Sequence, residues 1–180
     1  MQSDQDIIIQ FQSSIQREQA FTQLVKKHQS KVYYQIKKMV TEHADADDIA
    51  QAVWIKIWNK LDGFKMESEF TTWLFRIAYN ETVNFINKEK KFNGHVDIDD
   101  QNQSSSSQST SGDPQSAKIQ IKLEHSIMQL PEKQRVVFML RYYEEFNYEK
   151  IASITGTTVG GAKANYHQAV KKMQELLKQD

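Results

Sequence analysis

The chain has 180 residues, 39% of them hydrophobic, and its 23 basic residues equal its 23 acidic ones. This length allows one large or two small domains, and only two prolines and six glycines favour an all-α fold. The absence of cysteine excludes disulfides and thiolate metal sites. Because neither a signal peptide nor about 18 consecutive apolar residues occur, we expect a cytoplasmic protein without membrane insertion.

The charges are unevenly distributed along the chain. Residues 1–92 carry 13 basic against 12 acidic residues, residues 93–116 none against four, and residues 117–180 ten against seven, which gives +1, −4 and +3. Contacts of Lys and Arg with phosphates supply most of the affinity of proteins that bind duplex DNA unaided. The near-neutral balance therefore predicts DNA contact that depends on a larger partner for its strength.

The first half of the chain contains two clear helical repeats. Residues 20–40 have an apolar side and a lysine-rich polar side, and we interpret the lysines as a solvated face. Residues 49–61 carry one apolar line and, separately, Trp54 and Trp58 four residues apart. Together with Asp48 and Gln51, these indoles predict a protein-binding surface. In the alternative, both indoles simply complete the domain core.

Residues 67–91 form the most informative segment, predicted as an amphipathic helix with Ser68 as its N-cap. One side is apolar. Spacings of three and four residues align a polar stripe opposite it: Trp73, Arg76, Asn80, Asn84 and Asn87, followed by Lys88. Asparagine, arginine and indole groups bind base edges and phosphates and stack on unpaired bases, so we expect a nucleic-acid surface. Alternatively, Trp73 packs partly into the core and the asparagines are ordinary surface residues.

Periodicity stops after residue 92. Residues 93–116 contain a Ser/Gln-rich run and four acidic residues, which is typical of a flexible linker. The sequence thus predicts helical domains at 1–92 and 117–180. The acidic segment either keeps itself solvated or occupies a basic channel meant for nucleic acid.

The second domain contains a predicted helix-turn-helix. Asn147 caps a short helix that Gly156 ends, and a second helix starts at residues 157–159 and runs to about Leu177. Helical geometry places Lys163 at the flank of the second helix. Its outward face carries polar and small residues: Gly160, Ala164, His167, Gln168 and Lys171. This face offers one or two phosphate contacts and few base readers. A plain helical hairpin is the alternative.

Five motifs occur in a characteristic order: Asp47-Asp48-Ile49-Ala50-Gln51, Phe70-Thr71-Thr72-Trp73-Leu74-Phe75-Arg76-Ile77-Ala78, Leu130-Pro131-Glu132-Lys133-Gln134-Arg135, Tyr148-Glu149-Lys150-Ile151-Ala152 and Val159-Gly160-Gly161-Ala162-Lys163. In this order they resemble the extracytoplasmic-function (ECF) group of bacterial RNA polymerase sigma factors, over nearly the whole chain. The resemblance implies a factor that binds core RNA polymerase and directs promoter recognition and melting.

The resemblance also assigns expected roles to residues. Core polymerase binding falls on Asp48 and Gln51, with Trp54 and Trp58 beside them. Minus-ten DNA binding falls on Phe64 and Asn80, where the family captures a flipped base, together with Trp73, Arg76, Asn84, Asn87 and Lys88. Minus-thirty-five DNA binding falls on the recognition helix and its start: Thr158, Gly160, Gly161, Lys163, Ala164, His167 and Lys171. The linker is expected to pass through the polymerase.

The chain departs from the family pattern at two places. Ala52 replaces a common glutamate of the core-binding motif, and Ala164-Asn165 replaces a Ser-Arg pair, so the upstream specificity is not transferable. Whether an anti-sigma factor is a further partner stays open at this level.

Two other classes of function stay open. One is a stand-alone helix-turn-helix regulator whose first domain senses a signal or dimerises. The other is an enzyme, which the sequence disfavours: its five histidines are scattered, and no zinc-protease motif or Gly-rich phosphate loop occurs. We therefore expect no catalytic residue, no metal and no cofactor.

Overall fold

The computed structural model of the protein describes residues 2–13, 16–40, 42–92 and 114–178. Most of the predicted linker, residues 93–113, lies outside the described residues. The described part is all-α, as predicted, and it contains these helices: α1 Asp4–Gln12, α2 Arg17–Lys37, α3 His43–Lys60, α4 Phe70–Phe92, α5 Pro114–Met128, α6 Glu132–Tyr142, α7 Tyr148–Thr155 and α8 Val159–Lys178. A short 3-10 turn, Leu61–Gly63, follows α3.

Helices α1 to α4 form the first domain around a core of fully buried apolar side chains, among them Phe11, Leu24, Ile57 and Leu74. Helices α5 to α8 form the second domain, in which α8 packs against α5, α6 and α7. Burying a side chain of this size contributes roughly 1.5–3 kcal/mol. The second domain has a smaller cluster of its own around Ile127, Leu130 and Met173, while its Ile151 and Ile154 belong to one apolar cluster with the first domain.

Local signals fix several helix ends. The Asn147 side-chain oxygen accepts a hydrogen bond from the Lys150 backbone N–H at 2.8 Å, which confirms the predicted cap of α7. Gly156 ends α7 in the left-handed conformation, at φ 67°. The predicted N-cap of α4, Ser68, was wrong, because the first helical hydrogen bond runs from the Trp73 N–H to the Glu69 carbonyl. Glu69, and not Ser68, therefore occupies the cap position.

Helix α4 has three distinct sides. The first, with Phe70 and Leu74, is buried in the first domain. The second, with Thr72 and Phe75, is also buried, and the Phe75 ring lies edge-on to Phe146 of the second domain at 5.2 Å between centroids. The third is the polar stripe. The sequence analysis assigned an apolar and a polar side and missed the side that contacts the second domain.

The lysines of α2 are not all solvated. Lys38 is only 6% exposed and pairs with Glu124 of α5 at 3.2 Å, while Lys31 pairs with Glu144, which follows α6, at 2.7 Å. The expectation of a solvated lysine face was thus wrong for Lys38, which directly follows α2, because the second domain covers that end of the helix.

Candidate nucleic-acid and protein interfaces

The polar stripe of α4 is exposed along its length. Its members Arg76, Asn80, Asn84, Asn87 and Lys88 all face solvent. Within the described part of the chain, the Arg76 guanidinium and the three asparagine amides have no hydrogen-bonding partner or ion pair in the structure. Each amide offers two donors and an acceptor, and the guanidinium offers five donors. The stripe is therefore a row of unengaged groups suited to base edges and phosphates.

An aromatic cluster lies at the start of this stripe. The half-buried Trp73 ring is 5.0 Å from the Phe64 ring and 6.0 Å from the Phe70 ring. Phe64 is itself only 8% exposed, so in this structure it forms a wall of the cluster. Trp73 thus packs partly into the core, as the alternative reading of this residue had it, while it also borders the exposed stripe.

The loop that carries Phe64 is held by the first helix. The Gln12 amide nitrogen donates to the backbone carbonyls of Leu61 and Phe64, both at 3.0 Å. Arg17 pairs with Asp62 in the same loop. These contacts join residues about fifty positions apart in sequence, and periodicity gives no sign of them. A nucleotide that displaced Phe64 from the cluster would have to loosen this loop.

The two tryptophans of α3 pack inward. The Trp54 and Trp58 rings lie edge-on to Phe21, at 6.0 Å and 5.0 Å, and Trp58 lies edge-on to Phe11 at 5.2 Å. Both are half-buried. Rings from α1 and α2 thus cover part of each indole, and the contribution of both tryptophans to a protein-binding surface stays a prediction. The alternative, in which the indoles complete the core, describes their packing.

A different surface of α3 is open to solvent. Asp48 and Gln51 are exposed, and so are Ala52 and Ile55, the last of these to 57%. The sequence analysis missed Ile55, although its position seven residues after Asp48 places it on the same helix face. An exposed isoleucine beside a carboxylate and an amide is a suitable composition for a protein contact.

The helix-turn-helix presents the predicted recognition surface. Lys163, Ala164, His167 and Lys171 are exposed on one side of α8. The Lys163 ammonium also lies 5.7 Å from the ring centroid of Tyr148 on α7, a distance at which the ring face attracts the cation. The interaction leaves the ammonium at the surface, available to a phosphate.

The residues at the start of α8 have structural roles. The exposed Thr158 accepts a hydrogen bond from the Gly161 N–H through its side-chain oxygen at 3.0 Å. A Cβ at Gly161 would lie 2.8 Å from the Thr157 hydroxyl oxygen, so a side chain at this position would require the Thr157 hydroxyl to move. Gly160 has open space around it. Gln168 is exposed as predicted, and its side-chain oxygen accepts a hydrogen bond from the Gln134 amide nitrogen at 2.9 Å.

The described ranges contain neither a metal-binding cluster nor a helix that could cross a membrane. Among residues 2–13, 16–40, 42–92 and 114–178, no group of three or more His, Cys, Asp or Glu could hold a metal ion. No helix in those ranges is long and apolar enough to span a bilayer.

The fold and these surfaces define a class: two-domain helical proteins with a polar, cation-bearing helix in the first domain and a helix-turn-helix in the second. Residues 24–92 match the family model for Sigma-70 region 2, and residues 120–173 match that for Sigma-70, region 4. The chain belongs to the sigma-70 family of RNA polymerase sigma factors, in its ECF group.

Individual relatives agree with this assignment. The chain is 30% identical to the ECF RNA polymerase sigma factor SigW of Bacillus subtilis in an alignment of 168 residues that covers 88% of this chain and 89% of the relative. It is 28% identical to the ECF RNA polymerase sigma-E factor of Escherichia coli K12, over 98% of this chain and 97% of the relative.

Solved structures share the fold. The sigma factor RpoE from Bartonella quintana, in complex with the anti-sigma factor NepR, superposes with a TM-score of 0.73 at 26% identity, over 89% of this chain and 98% of that chain. CnrH, in complex with the cytosolic domain of CnrY, superposes with a TM-score of 0.72 at 22% identity, over 99% of both chains.

Proposed function

We propose that this chain directs promoter-specific transcription initiation by binding core RNA polymerase, recognising promoter DNA and helping to melt it. The observation that carries the proposal is the pair of family matches in the order region 2, region 4, each falling on a domain with an exposed surface of suitable chemistry. The near-neutral total charge fits a factor that takes most of its DNA affinity from the polymerase.

The exposed face of α3 is the proposed polymerase contact. Asp48, Gln51 and Ile55 lie on it, so an apolar anchor is flanked by polar groups, as at the centre of many protein interfaces. We propose that Trp54 and Trp58 support this polymerase contact indirectly, because their packing on Phe21 fixes the orientation of α3.

The α4 stripe is the proposed contact to the minus-ten element. Unstacking one base step requires a few kcal/mol, and an aromatic platform returns roughly 1–3 kcal/mol per stacked base. Trp73 and Phe64 supply rings, Asn80 supplies donors and an acceptor for a base edge, and Arg76 supplies a cation. Farther along the helix, Asn84, Asn87 and Lys88 continue the same surface toward the DNA backbone.

The exposed side of α8 is the proposed contact to the minus-thirty-five element. Lys163 and Lys171 would bind phosphates, while Ala164 and His167 would face base edges. Thr158 and Gly161 position the start of the helix, and Gly160 leaves room for the close approach of a DNA backbone.

We further infer that the protein acts through binding and performs no catalytic step. Its relatives are transcription initiation factors, and melting would be driven by binding energy shared with the polymerase. Location in the cytoplasm follows from this role. An anti-sigma factor is a proposed further partner, because the superposed RpoE is bound to one.

Run-off transcription with purified core bacterial RNA polymerase on fragmented genomic DNA tests the function. We expect discrete transcripts only when this chain is present. A band shift on those fragments without polymerase, combined with no transcripts, would instead favour the stand-alone helix-turn-helix regulator.

Substituting Asn80 tests the site. Asn80→Ala removes one base-edge contact, so we expect about tenfold less permanganate reactivity of promoter thymines, with unchanged retention on immobilised polymerase. Gln29→Ala, at an exposed amide residue of α2 outside the proposed surfaces, is the matched control. Equal loss of melting and polymerase retention in Asn80→Ala would contradict the assignment.

A further inference from the structure

Helix α1, Asp4–Gln12, precedes the part of the chain that matches the Sigma-70 region 2 model, which begins at residue 24. The family assignment therefore gives this helix no role. Its side chains Ile8 and Phe11 are fully buried, so α1 is nevertheless an integral part of the first domain. Its polar side chains contact the surroundings of the aromatic cluster that borders the α4 stripe.

Gln12, at the last position of α1, binds the loop that carries Phe64. Its amide nitrogen donates to the backbone carbonyls of Leu61 and Phe64 at 3.0 Å and lies 3.3 Å from that of Asp62. A side-chain amide nitrogen carries two N–H groups, so these carbonyls use its whole donor capacity. One side chain thus fixes the loop backbone on both sides of Gly63.

The same loop has a strained backbone that its surroundings must hold. Met66 has a φ of 58°, in the left-handed region that is uncommon for residues other than glycine. Backbone in such a conformation persists only where neighbouring contacts fix it. Arg17, at the start of α2, pairs with Asp62, and its guanidinium lies 4.3 Å from the centroid of the Phe11 ring. Gln12 and Arg17 therefore both fix the loop from outside it.

A second contact joins α1 to the aromatic cluster. The His28 side chain of α2 is buried, and its Nε2 lies 3.1 Å from both carboxylate oxygens of Asp4. The His28 ring also lies edge-on to Phe70, at 5.5 Å between ring centroids. Phe64 and Phe70 both pack against the Trp73 ring. The two ends of α1 thus support the two phenylalanine walls of the cluster, one through the loop and the other through His28.

We propose that α1 is a positioning element of the minus-ten site, and that Gln12 fixes Phe64 as a wall of the surface on which an extruded base stacks. This inference rests on the proposed function and adds a residue that does not itself touch DNA. Asn80 supplies hydrogen bonds to the edge of the base, whereas the fixed position of Phe64 decides which base fits beside Trp73. A site whose walls are already ordered loses no binding energy in ordering them. Loss of the Gln12 donors should therefore weaken the discrimination between bases.

The test compares base preference in the assembled complex of core RNA polymerase and the full chain. The probe is a pool of single-stranded DNA oligonucleotides of equal length and random sequence, and sequencing of the bound fraction gives the preference at each position. The position of the extruded base is the one at which Asn80→Ala loses its preference. Because all probes carry the same phosphate charge, the ratio of preferred to other bases is insensitive to the net charge of a variant.

Variants of Gln12 separate its donors from its shape. Gln12→Ala and Gln12→Glu both lack the amide donors, so each should lower the ratio at the extruded base by about three- to tenfold. Gln12→Lys retains N–H donors and should keep most of the preference. Gln5→Ala and Gln5→Glu, at an exposed position of α1, are the matched controls and should change nothing. All of these variants should be retained on immobilised polymerase like the original chain.

Hydrogen exchange of the full chain without polymerase measures the loop directly. Backbone amides of residues 61–69 should exchange about three- to tenfold faster in Gln12→Ala and Gln12→Glu than in the Gln5 variants. Equally faster exchange throughout the first domain would mean a general loss of stability and would overturn the positioning role.

The two readouts distinguish this inference from the proposed function. An unchanged or stronger base preference in Gln12→Ala, with a clear preference in the original chain, would overturn the role of Gln12 and leave the function standing. If the loop amides change as expected but the original chain shows no base preference on polymerase, the hold of Gln12 on the loop is supported and the proposed function is contradicted.

Discussion

Replacing Gln35 by leucine tests whether the domain boundary contains an unsatisfied amide. Gln35 is 3% exposed and lies in a crevice between α2 and α6, next to Leu140 and Tyr143. In the described part of the chain, neither its amide nitrogen nor its oxygen has a hydrogen-bonding partner. A buried polar group without a partner destabilises a protein by about 1–3 kcal/mol, and leucine has a similar volume with no polar atom. Gln35→Leu should therefore raise the free energy of unfolding by about 1–3 kcal/mol.

Urea and thermal denaturation followed by far-UV circular dichroism measure this change. For a protein of this size, each kcal/mol corresponds to about 2–4 °C in Tm. Gln23→Leu, at an exposed position of the same helix, is the matched control and should remain within about 0.5 kcal/mol of the original chain.

A loss of stability in Gln35→Leu would refute this reasoning. It would mean that the amide has hydrogen-bonding partners in solution whose removal outweighs the gain of an apolar group. An increase in both Gln35→Leu and Gln23→Leu would also refute it, since the effect would then arise from leucine on α2 and not from the boundary.

Two further predictions concern stability. Burial raises the pKa of Asp4, but hydrogen bonds from Lys27 at 2.7 Å and His28 at 3.1 Å bring it below its ordinary value of 3.8. The charged Asp4 carboxylate thus stabilises the fold fully above pH 3.8, and this stabilisation is lost as the pH falls through the lowered pKa. Asp4→Asn should therefore lower the unfolding free energy by about 1 kcal/mol at pH 7 and by less at pH 3 in urea titrations. An equal loss at both pH values would contradict this. Gly156→Ala should lower the unfolding free energy by about 1–2 kcal/mol, because the backbone of Gly156 has a φ of 67°. Gly160→Ala, inside α8 with open space around it, should not lower the unfolding free energy.

The sequence by itself determined helices α2, α3, α4, α7 and α8 and the orientation of the α4 stripe, whereas α1 was not predicted. Asn147 and Gly156 act on the backbone within a few residues of themselves, so their effect is readable without tertiary contacts. Asn80 and Arg76 are exposed as predicted, because helical geometry fixes which residues share a face.

Only the tertiary structure decided which side chains at the edge of a face were buried. Trp54 and Trp58 are covered by aromatic rings from α1 and α2, and Phe64 is enclosed by Phe70 and Trp73. Periodicity gives a direction on a helix, but it does not say whether another element lies there. Ile55 was missed for the same reason, because periodicity does not show that its side of α3 is uncovered.

The packing of the two domains was likewise absent from the sequence analysis. Phe75, Lys38 and Lys150 have partners that lie from 71 to 86 positions away, as the contacts with Phe146, Glu124 and Glu69 show. Such pairings depend on the whole chain being folded, since no local rule relates residues at that separation. The helical character of each domain was therefore predictable from the sequence, and the surface at which the two domains pack together was not.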